Sequence, residues 1–148
     1  MDLKKYEEKR DFERTPEPVV SSGAPHRGQL QFVVQRHDAS HLHYDFRLEN
    51  EGVLKSWAVP KGLPLSSKEK RLAIQVEDHP YEYKNFEGEI PKGNYGAGTV
   101  RIWDKGTYFS RHCSGQMQTC IRDALKKGHL DIFLEGKKFW GEYSLVRT

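Results

Sequence analysis

The stretch that most constrains the fold runs from residue 35 to residue 49, QRHDASHLHYDFRLE, and ends in a strict alternation of apolar and polar residues. Successive side chains of an extended strand point to opposite faces, so the alternation predicts a two-faced strand. The apolar face carries Leu42, Tyr44, Phe46 and Leu48. The polar face carries His43, Asp45 and Arg47. Neighbours on one face lie about 6.6 Å apart, two rises of about 3.3 Å, so an imidazole and a carboxylate there can reach one cation.

Short alternating segments continue along the chain. The expected strands are 29–36, 42–48, 53–59, 71–78, 99–104, 107–110, 129–134 and 138–147. Asn50-Glu51-Gly52 predicts a tight hairpin, and Lys105-Gly106 predicts a second one. Helical spacing over residues 117–125 predicts one late helix, with Gly128 as its C-terminal cap. The pattern as a whole predicts a mainly β fold, an antiparallel β-barrel-like single domain.

The first 28 residues have a different character from the rest. We expect a short charged helix within residues 1–13, an extended arm at Thr15-Pro16-Glu17-Pro18, and a linker at 21–28 where flexibility concentrates. Taken alone, this segment is also consistent with a solvated tail. With 148 residues and 36% hydrophobic content, one domain over 1–148 is expected, its barrel core spanning 29–148.

Composition excludes some classes of protein and leaves others open. The net charge of +3 is compatible with a nucleic-acid substrate and too weak to establish one. No membrane-spanning run or signal peptide is visible, so a soluble cytoplasmic protein is expected. Cys113 and Cys120 are expected to be reduced thiols, with a small zinc site beside His112 and His129 as the alternative. The tryptophans at 57, 103 and 140 are expected in the core, with base-stacking platforms as the alternative.

A metal site is the first chemical hypothesis that the polar face suggests. His43 and Asp45 share that face, and His37 falls in the expected turn before it, where His41 competes for the same role. Two imidazoles and one carboxylate leave coordination positions open for water and substrate. Ligand type alone leaves zinc, iron and manganese open. The alternative is a set of surface polar residues on a half-exposed strand.

Basic residues near the polar face suggest a phosphate ligand. Arg47 lies on the same face, Arg71 begins another expected strand, and Lys61 follows a strand end. A guanidinium beside a metal suits phosphate, because its planar fork matches two phosphoryl oxygens.

A second group of residues follows the strand at 71–78. His79 ends it, with Tyr83 four residues on and the carboxylates of Glu77 and Asp78 beside it. Such a histidine can protonate a leaving oxygen or hold a phosphate oxygen, unless it is simply solvated. The glycines of GNYGAG at 93–98 are interpreted as tight turns, because no GK[ST] of a phosphate-binding loop follows them.

These motifs together resemble a known family. QRHDASHLHYDFRLE, SWAVPKG, VEDHPYEYKNFEGEIPKGNYGAGTVRIWDKGTY and the C-terminal ALKKGHLDIFLEGKKFWGEYSLVRT are similar, in order, to the 3′-phosphoesterase domain of bacterial DNA ligase D. The likeness begins at RDFERTPEP, residues 10–18. It implies a β-barrel-like fold and a Mn²⁺-dependent enzyme acting on the 3′ ends of DNA. Such an enzyme removes a terminal 3′-ribonucleoside and then the 3′-phosphate, leaving a 3′-hydroxyl for end joining.

The resemblance also implies roles for particular residues. The implied metal ligands are His37, His43 and Asp45. The implied phosphate and active-site residues are Arg47, His79 and Tyr83. Further polar positions linked to activity are Gln35, Lys61, Arg71 and Glu77. The N-terminal arm supplies Arg10, Asp11 and Glu17, which in the family fold back toward the active site.

The chain departs from the family's large members in one respect. No KxDG ligase motif and no polymerase domain accompany it, so it is expected to act alone or to recruit ligase, polymerase and Ku-type partners at DNA primer–template ends. Two other classes stay open: a non-catalytic nucleic-acid-binding barrel, and a zinc hydrolase of small phosphate esters.

Overall fold

A computed structural model describes residues 3–20 and 28–148. The helices of these ranges are α1 (Lys4–Glu8) and α2 (Met117–Lys127), with a 3₁₀ helix at Tyr81–Asn85. The strands are β1 (Leu30–Asp38), β2 (Leu42–Asn50), β3 (Val53–Val59), β4 (Ile74–Pro80), β5 (Gly88–Ile90), β6 (Gly98–Ser110), β7 (His129–Glu135) and β8 (Trp140–Val146). The fold is mainly β, which confirms the prediction from the alternating pattern.

The described strands form one antiparallel sheet. Its order is β4-β3-β2-β1-β6-β7-β8, and β5 pairs with part of β6. The sheet curls into a half-barrel, which confirms the expected barrel-like architecture. Strands β1 and β2 lie near its middle, where each has a neighbour on both sides. Side chains on this central ribbon are therefore held by hydrogen-bonded backbone in both directions.

The two faces of the central ribbon pack against different groups of residues. The larger apolar cluster includes Phe32, Val34 and Phe46 of the ribbon and Ile121 of α2. The smaller cluster consists of Tyr6, Leu54, Tyr83, Phe86, Ile90 and Val100. Gln35 hydrogen-bonds the backbone of Tyr83, whereas its neighbour Val34 belongs to the larger cluster, so the two clusters lie on opposite sides of the sheet.

The structure confirms two of the three predicted turns and caps and contradicts the third. Glu51 and Gly52 have φ of 52° and 84°, the positive values that a two-residue type I′ hairpin requires, so the first hairpin is confirmed. Gly128 caps α2 in the left-handed region, also as predicted. The hairpin expected at Lys105-Gly106 is wrong, because β6 runs through both residues. A Cβ at Gly106 would overlap the carbonyl oxygen of Glu135, so this glycine permits a close approach of β7 rather than a turn.

The expectation of reduced cysteines is also wrong. Cys113, in the loop before α2, is joined by a disulfide to Cys120 within α2, their Cα atoms 5.7 Å apart. No thiolate of this pair is therefore left for zinc. The flanking histidines His112 and His129 instead contact the carboxylate of Asp131, at 3.3 and 2.9 Å.

The tryptophans divide between core and surface. Trp57 is buried, as expected, at 7% exposure. The core prediction is wrong for Trp103 and Trp140, which are 37% and 65% exposed. Trp140 lies on the edge strand β8, where alternation leaves every second side chain in solvent.

Two strand boundaries differ from the expected ones, and most of the expected linker lies outside the described residues. The first strand extends to Asp38, so His37 is a strand residue and not a turn residue. Strand β4 begins at Ile74, which leaves Arg71 in the irregular segment before it. The expected linker lies outside the described residues except for Gly28. No helix among the described residues has both the length and the apolar character needed to cross a bilayer.

Candidate functional site

Cross-strand pairing brings the metal-ligand candidates together. His37 of β1 pairs directly with His43 of β2, and Gln35 pairs with Asp45. Directly opposed residues of an antiparallel pair share a face, and the two imidazole rings lie 4.6 Å apart. One nitrogen of His37, one nitrogen of His43 and one oxygen of Asp45 lie within 4.8 Å of one another. The side chain of His41 is exposed and does not belong to this group.

Backbone carbonyls fix the orientation of both imidazoles. His37 Nε2 donates to the carbonyl of Gly96 at 2.7 Å, and His43 Nδ1 donates to that of His41 at 3.3 Å. The opposite nitrogens face Asp45, His37 Nδ1 at 3.2 Å from Oδ2 and His43 Nε2 at 3.1 Å from Oδ1. Without an ion, a proton on an inner nitrogen makes the hydrogen bond to Asp45, and a divalent cation among the three groups would take the place of such protons. A ligating histidine ordinarily donates its outer N–H in this way.

The charge of the site stabilises the ionised form of Asp45. Burial alone would raise the pKa of this carboxyl, but the Arg47 guanidinium and the hydrogen bonds from His37 and His43 lower it strongly. The hydrogen bond to Asp45 in turn raises the pKa of His43. Asp45 is therefore a carboxylate at neutral pH, the form that binds a metal ion.

Arg47 lies beside the metal-ligand candidates with part of its donor capacity unused. Its Nε donates to Gln35 Oε1 at 2.7 Å, and its Nη2 lies 3.5 Å from Asp45 Oδ2. The guanidinium stacks 4.7 Å above the ring centroid of Tyr83. Its Nη1 is buried and has no hydrogen-bond partner in the part of the chain described here. An orphaned charged donor next to a metal-ligand set is suited to a phosphoryl oxygen.

His79 is buried and neutral. Its Nδ1 donates to the carbonyl of Glu77 at 2.9 Å, which leaves Nε2 as an acceptor facing Arg10 Nη2 at 3.4 Å. Burial lowers the pKa of His79 well below its usual value, and the positive charges of Arg47 and Arg10 lower it further.

The N-terminal arm supplies charged partners to this histidine. Arg10 pairs with Glu17 at 2.8 Å and with Glu77 at 3.2 Å, and all three side chains are almost fully buried. The hydroxyl of Tyr83 donates to Glu17 at 2.6 Å. Lys9 adds a more exposed contact to Glu77 at 3.1 Å. The arm thus packs over the same face of the sheet as the metal-ligand candidates and is no solvated tail.

Two groups in the site, the Tyr6 side chain and the Gly96 carbonyl, were not predicted from the sequence. Tyr6 is fully buried, its ring centroid 5.1 Å from that of His79 and 4.0 Å from the Arg10 guanidinium carbon. Its hydroxyl donates to the carbonyl of Pro18, which holds the arm closed. The only signal for Tyr6 was its place among the few apolar residues of a charged helix. The carbonyl of Gly96 left no signal, because any residue supplies a carbonyl.

Other residues implied by the resemblance lie apart from this cluster. Arg71 donates to the carbonyls of Lys61 and Gly62 and pairs with Glu69 at 2.6 Å, so it fastens the turn after β3. The Lys61 side chain is exposed. Asp11 is exposed and accepts from the backbone of Glu13 at 3.1 Å. Among the described contacts, none joins these residues to the metal-ligand candidates.

Comparison with known proteins places the chain in a family. The family model of the DNA ligase D 3′-phosphoesterase domain matches residues 35–147, which include the metal-ligand candidates, Arg47 and His79. The chain belongs to the DNA ligase D 3′-phosphoesterase domain family. The phosphoesterase match confirms the family to which the sequence motifs were similar.

Curated relatives of this phosphoesterase domain are longer proteins. The multifunctional non-homologous end joining protein LigD of Pseudomonas aeruginosa is 52% identical over 149 residues, which cover 99% of this chain and 17% of that protein. The LigD proteins of Mycobacterium tuberculosis and Mycolicibacterium smegmatis are 45% and 44% identical over 146 residues, 99% of this chain and 18% and 19% of theirs. The chain thus spans less than a fifth of the length of these relatives.

Proposed function

We propose that the chain is a Mn²⁺-dependent phosphoesterase that trims the 3′ ends of DNA. It removes a terminal 3′-ribonucleoside and then hydrolyses the remaining 3′-phosphate to leave a 3′-hydroxyl. The observation that carries the proposal is the convergence of His37 Nδ1, His43 Nε2 and the Asp45 carboxylate beside the unpartnered Nη1 of Arg47. Membership of a phosphoesterase domain family supports the same chemistry.

The donor set fits a divalent transition metal. His37 Nδ1, His43 Nε2 and Asp45 would hold Mn²⁺, and their mixed nitrogen and oxygen character also accommodates zinc or iron. Bound there, the ion supplies Lewis acidity toward the phosphoryl group and lowers the pKa of a coordinated water. The remaining roles fall to this chain's own side chains.

Arg47 is the proposed phosphate anchor. Its Nη1 donates to a phosphoryl oxygen while Gln35 and the ring of Tyr83 hold the guanidinium in place. Because the side chain is only 4% exposed, the charge acts in a medium less polar than water and needs little reorganisation during the reaction. Tyr83 acts in this structure through its ring, since its hydroxyl is committed to Glu17.

His79 is the proposed proton donor to the leaving oxygen. Hydrolysis forms a bond from a water oxygen to phosphorus, breaks the bond to the leaving oxygen, and delivers a proton to that oxygen. His79 is neutral without substrate, so its Nε2 takes up a proton from solvent when the negative charge of the phosphodiester or phosphomonoester arrives and favours the protonated form. Arg10 faces the same Nε2, so it keeps the imidazole unprotonated until that negative charge arrives.

The biological setting we propose is repair of broken DNA ends. The named relatives are end-joining proteins, and a 3′-hydroxyl is the terminus that polymerases and ligases require. We propose DNA primer–template ends as the substrate, with ligase, polymerase and Ku-type proteins acting alongside.

A gel assay tests the proposal. A 5′-labelled primer with one terminal 3′-ribonucleotide, annealed to a template, is incubated with Mn²⁺, with Zn²⁺ or with a chelator. We expect two successive shortened products with Mn²⁺, none with chelator, and none from His43→Ala. The control variant His129→Ala removes an exposed histidine on β7 and should match the wild type. Binding of the primer without product would favour a non-catalytic module, and hydrolysis restricted to small esters would favour a general phosphatase.

A further inference from the structure

A second cluster of charged and aromatic side chains lies on the opposite face of the strands that carry the metal-ligand candidates. We call it the Trp103 patch, and it consists of Arg36, Tyr44, Arg101, Trp103 and Lys138. Arg36 precedes His37 on β1, and Tyr44 lies between His43 and Asp45 on β2. Successive residues of a strand face opposite ways, so the patch lies across the sheet from the candidate metal site, and the adjacent positions put both at the same end of the ribbon.

A β-bulge leaves Trp103 without a cross-strand partner on β1. Along β6, Asp104 pairs with Val34 and Ile102 pairs with Gln35, so the register skips Trp103. A bulge of this kind re-aims the extra side chain away from the regular ladder. The result is a tryptophan that is 37% exposed and packs against Tyr44 with ring centroids 5.8 Å apart.

A buried carboxylate positions Lys138 over that tryptophan. Asp104 accepts from the backbone nitrogens of Lys137, Lys138 and Phe139 at 3.0, 3.0 and 2.9 Å. These bonds hold the turn between β7 and β8 against β6. Lys138 Nζ consequently lies 4.4 Å from the centre of the Trp103 ring. The patch is therefore organised before any ligand arrives.

The charge of the patch is positive. Arg36, Arg101 and Lys138 are opposed by Asp38, which pairs with Arg36 at 3.5 Å. A groove of about 480 Å³ runs beside Trp103 and is lined by Arg36, Asp38, Thr99, Arg101, Ile102 and Trp103. This volume falls within the roughly 300–1,000 Å³ of ordinary ligand pockets, which is enough for a nucleotide.

We propose that the Trp103 patch binds unpaired nucleotides of a DNA strand, and this inference rests on the proposed action on DNA ends. A base stacks on the indole, and the cations contact the flanking phosphates, the combination that single-strand binding sites use. An exposed ammonium is held only weakly over an aromatic ring, so Lys138 yields the ring to a base and turns to a phosphate. Both sites lie at the same end of the ribbon, so a DNA strand that passes around that end would contact both.

Another exposed tryptophan provides a matched control. Trp140 is 65% exposed on β8 and contacts Phe133 at 5.7 Å, and no lysine or arginine lies over its ring among the described contacts. Its cross-strand partner is the acidic Glu135. It offers an aromatic surface without the cations, so it tests whether exposure alone accounts for binding.

Fluorescence anisotropy of a labelled 15-nucleotide oligothymidylate, with chelator present, measures binding without any chemistry. We expect Trp103→Ala to weaken the affinity about fivefold or more, because loss of one stacked base has about that effect, and Trp103→Phe to restore most of it. Trp140→Ala should stay within twofold of the wild type. An unchanged affinity for Trp103→Ala, an equal loss for Trp140→Ala, or no binding by the wild type would overturn the proposal.

Salt dependence provides a second measurement that survives if Trp103→Ala does not fold. Lys138→Gln and Arg101→Gln alter exposed side chains, and each should reduce the slope of log affinity against log salt by roughly 0.7. Unaltered slopes would contradict phosphate contacts. Since no metal is present, this outcome is independent of catalysis. If the wild type cleaves DNA and Trp103→Ala binds as the wild type does, only the proposal for the Trp103 patch is refuted. If Trp103→Ala binds more weakly and the wild type does not cleave DNA, only the esterase proposal is refuted.

Discussion

The side-chain oxygen of Gln35 accepts a hydrogen bond from Arg47 Nε at 2.7 Å, across two neighbouring strands and out of contact with solvent. The amide nitrogen of Gln35 donates to the carbonyls of Tyr83 and Phe86 at 2.8 and 3.1 Å. A neutral amide thus holds a buried guanidinium without cancelling its charge. Asp45 lies 3.5 Å from Nη2 of this guanidinium, and Nη1 stays available for a phosphoryl group.

Gln35→Glu should lower phosphoesterase activity about tenfold or more while the sheet stays folded. A carboxylate at this position neutralises Arg47 and loses the donor to two backbone carbonyls, and neutral hydrogen bonds of this kind are each worth about 0.5–1.5 kcal/mol. Steady-state kcat/KM on the ribonucleotide-tipped primer measures the effect. Gln75→Glu, an exposed change on β4, is the control. Equal activities in the two variants would show that the amide is not needed.

Gly96→Ala should weaken metal binding about 10–100-fold, the usual effect of disturbing a group that orients a ligand. Gly96 has φ of +76°, and its carbonyl accepts from His37 Nε2, so an alanine strains the backbone that orients this imidazole. Gly93→Ala carries the same kind of strain at φ of +91° but has no contact with His37. Calorimetric titration with Mn²⁺ compares them. A common loss in both variants would point to general loop damage.

Replacing His79 should flatten the dependence of stability on pH. The pKa of His79 is lowered in the folded state, so below about pH 6.5 the unfolded chain takes up a proton that the folded one refuses. The free energy of unfolding of the wild type therefore decreases as the pH is lowered, by up to about 1.4 kcal/mol per pH unit. His79→Gln lacks this proton site. The difference in Tm between the two proteins should shrink from about pH 7.5 to about pH 5.5, and parallel curves would contradict a neutral buried His79. The raised pKa of His43 acts in both proteins and cancels.

Arg10→Gln should destabilise the protein by about 3–5 kcal/mol, because it leaves the carboxylates of Glu17 and Glu77 buried without their main partner. The double variant Arg10→Gln/Glu17→Gln should recover part of that loss. Lys9→Gln removes the exposed partner of Glu77 and should cost no more than about 1 kcal/mol. Urea unfolding measures all three. Additive losses in the double variant would mean that the Arg10–Glu17 pair is not coupled.

Local alternation was sufficient to predict the central ribbon. The period of two from Leu42 placed His43, Asp45 and Arg47 on one face, and that is where the structure has them. Alternation also predicted the Asn50–Gly52 hairpin correctly, because the turn chemistry and the strand pattern agree there. Both are properties of a few consecutive residues.

Contacts between distant segments were not visible in the same way. The packing of the arm depends on Arg10 meeting Glu77, residues 67 apart, and no periodicity encodes such a meeting. It entered only through the family resemblance. The tryptophan prediction failed at Trp103 because a place in a strand does not by itself bury a side chain, and the bulge that leaves Trp103 unpaired is set by pairing with β1. The prediction of reduced thiols at Cys113 and Cys120 failed because the spacing of the two residues does not reveal how closely the loop approaches α2.

The pairing of His37 with His43 and of Val34 with Phe46 ties the reactive side of this protein to its interior. A shift of β2 by one residue relative to β1 would send His43 toward the apolar cluster and Phe46 toward the phosphate anchor, while His37 and Val34 stayed where they are. Folding correctly and assembling the metal ligands are thus a single event for this ribbon. Any redesign of the hairpin at residues 38–42 therefore has to preserve the register of β1 and β2, so that each side chain keeps its face of the sheet.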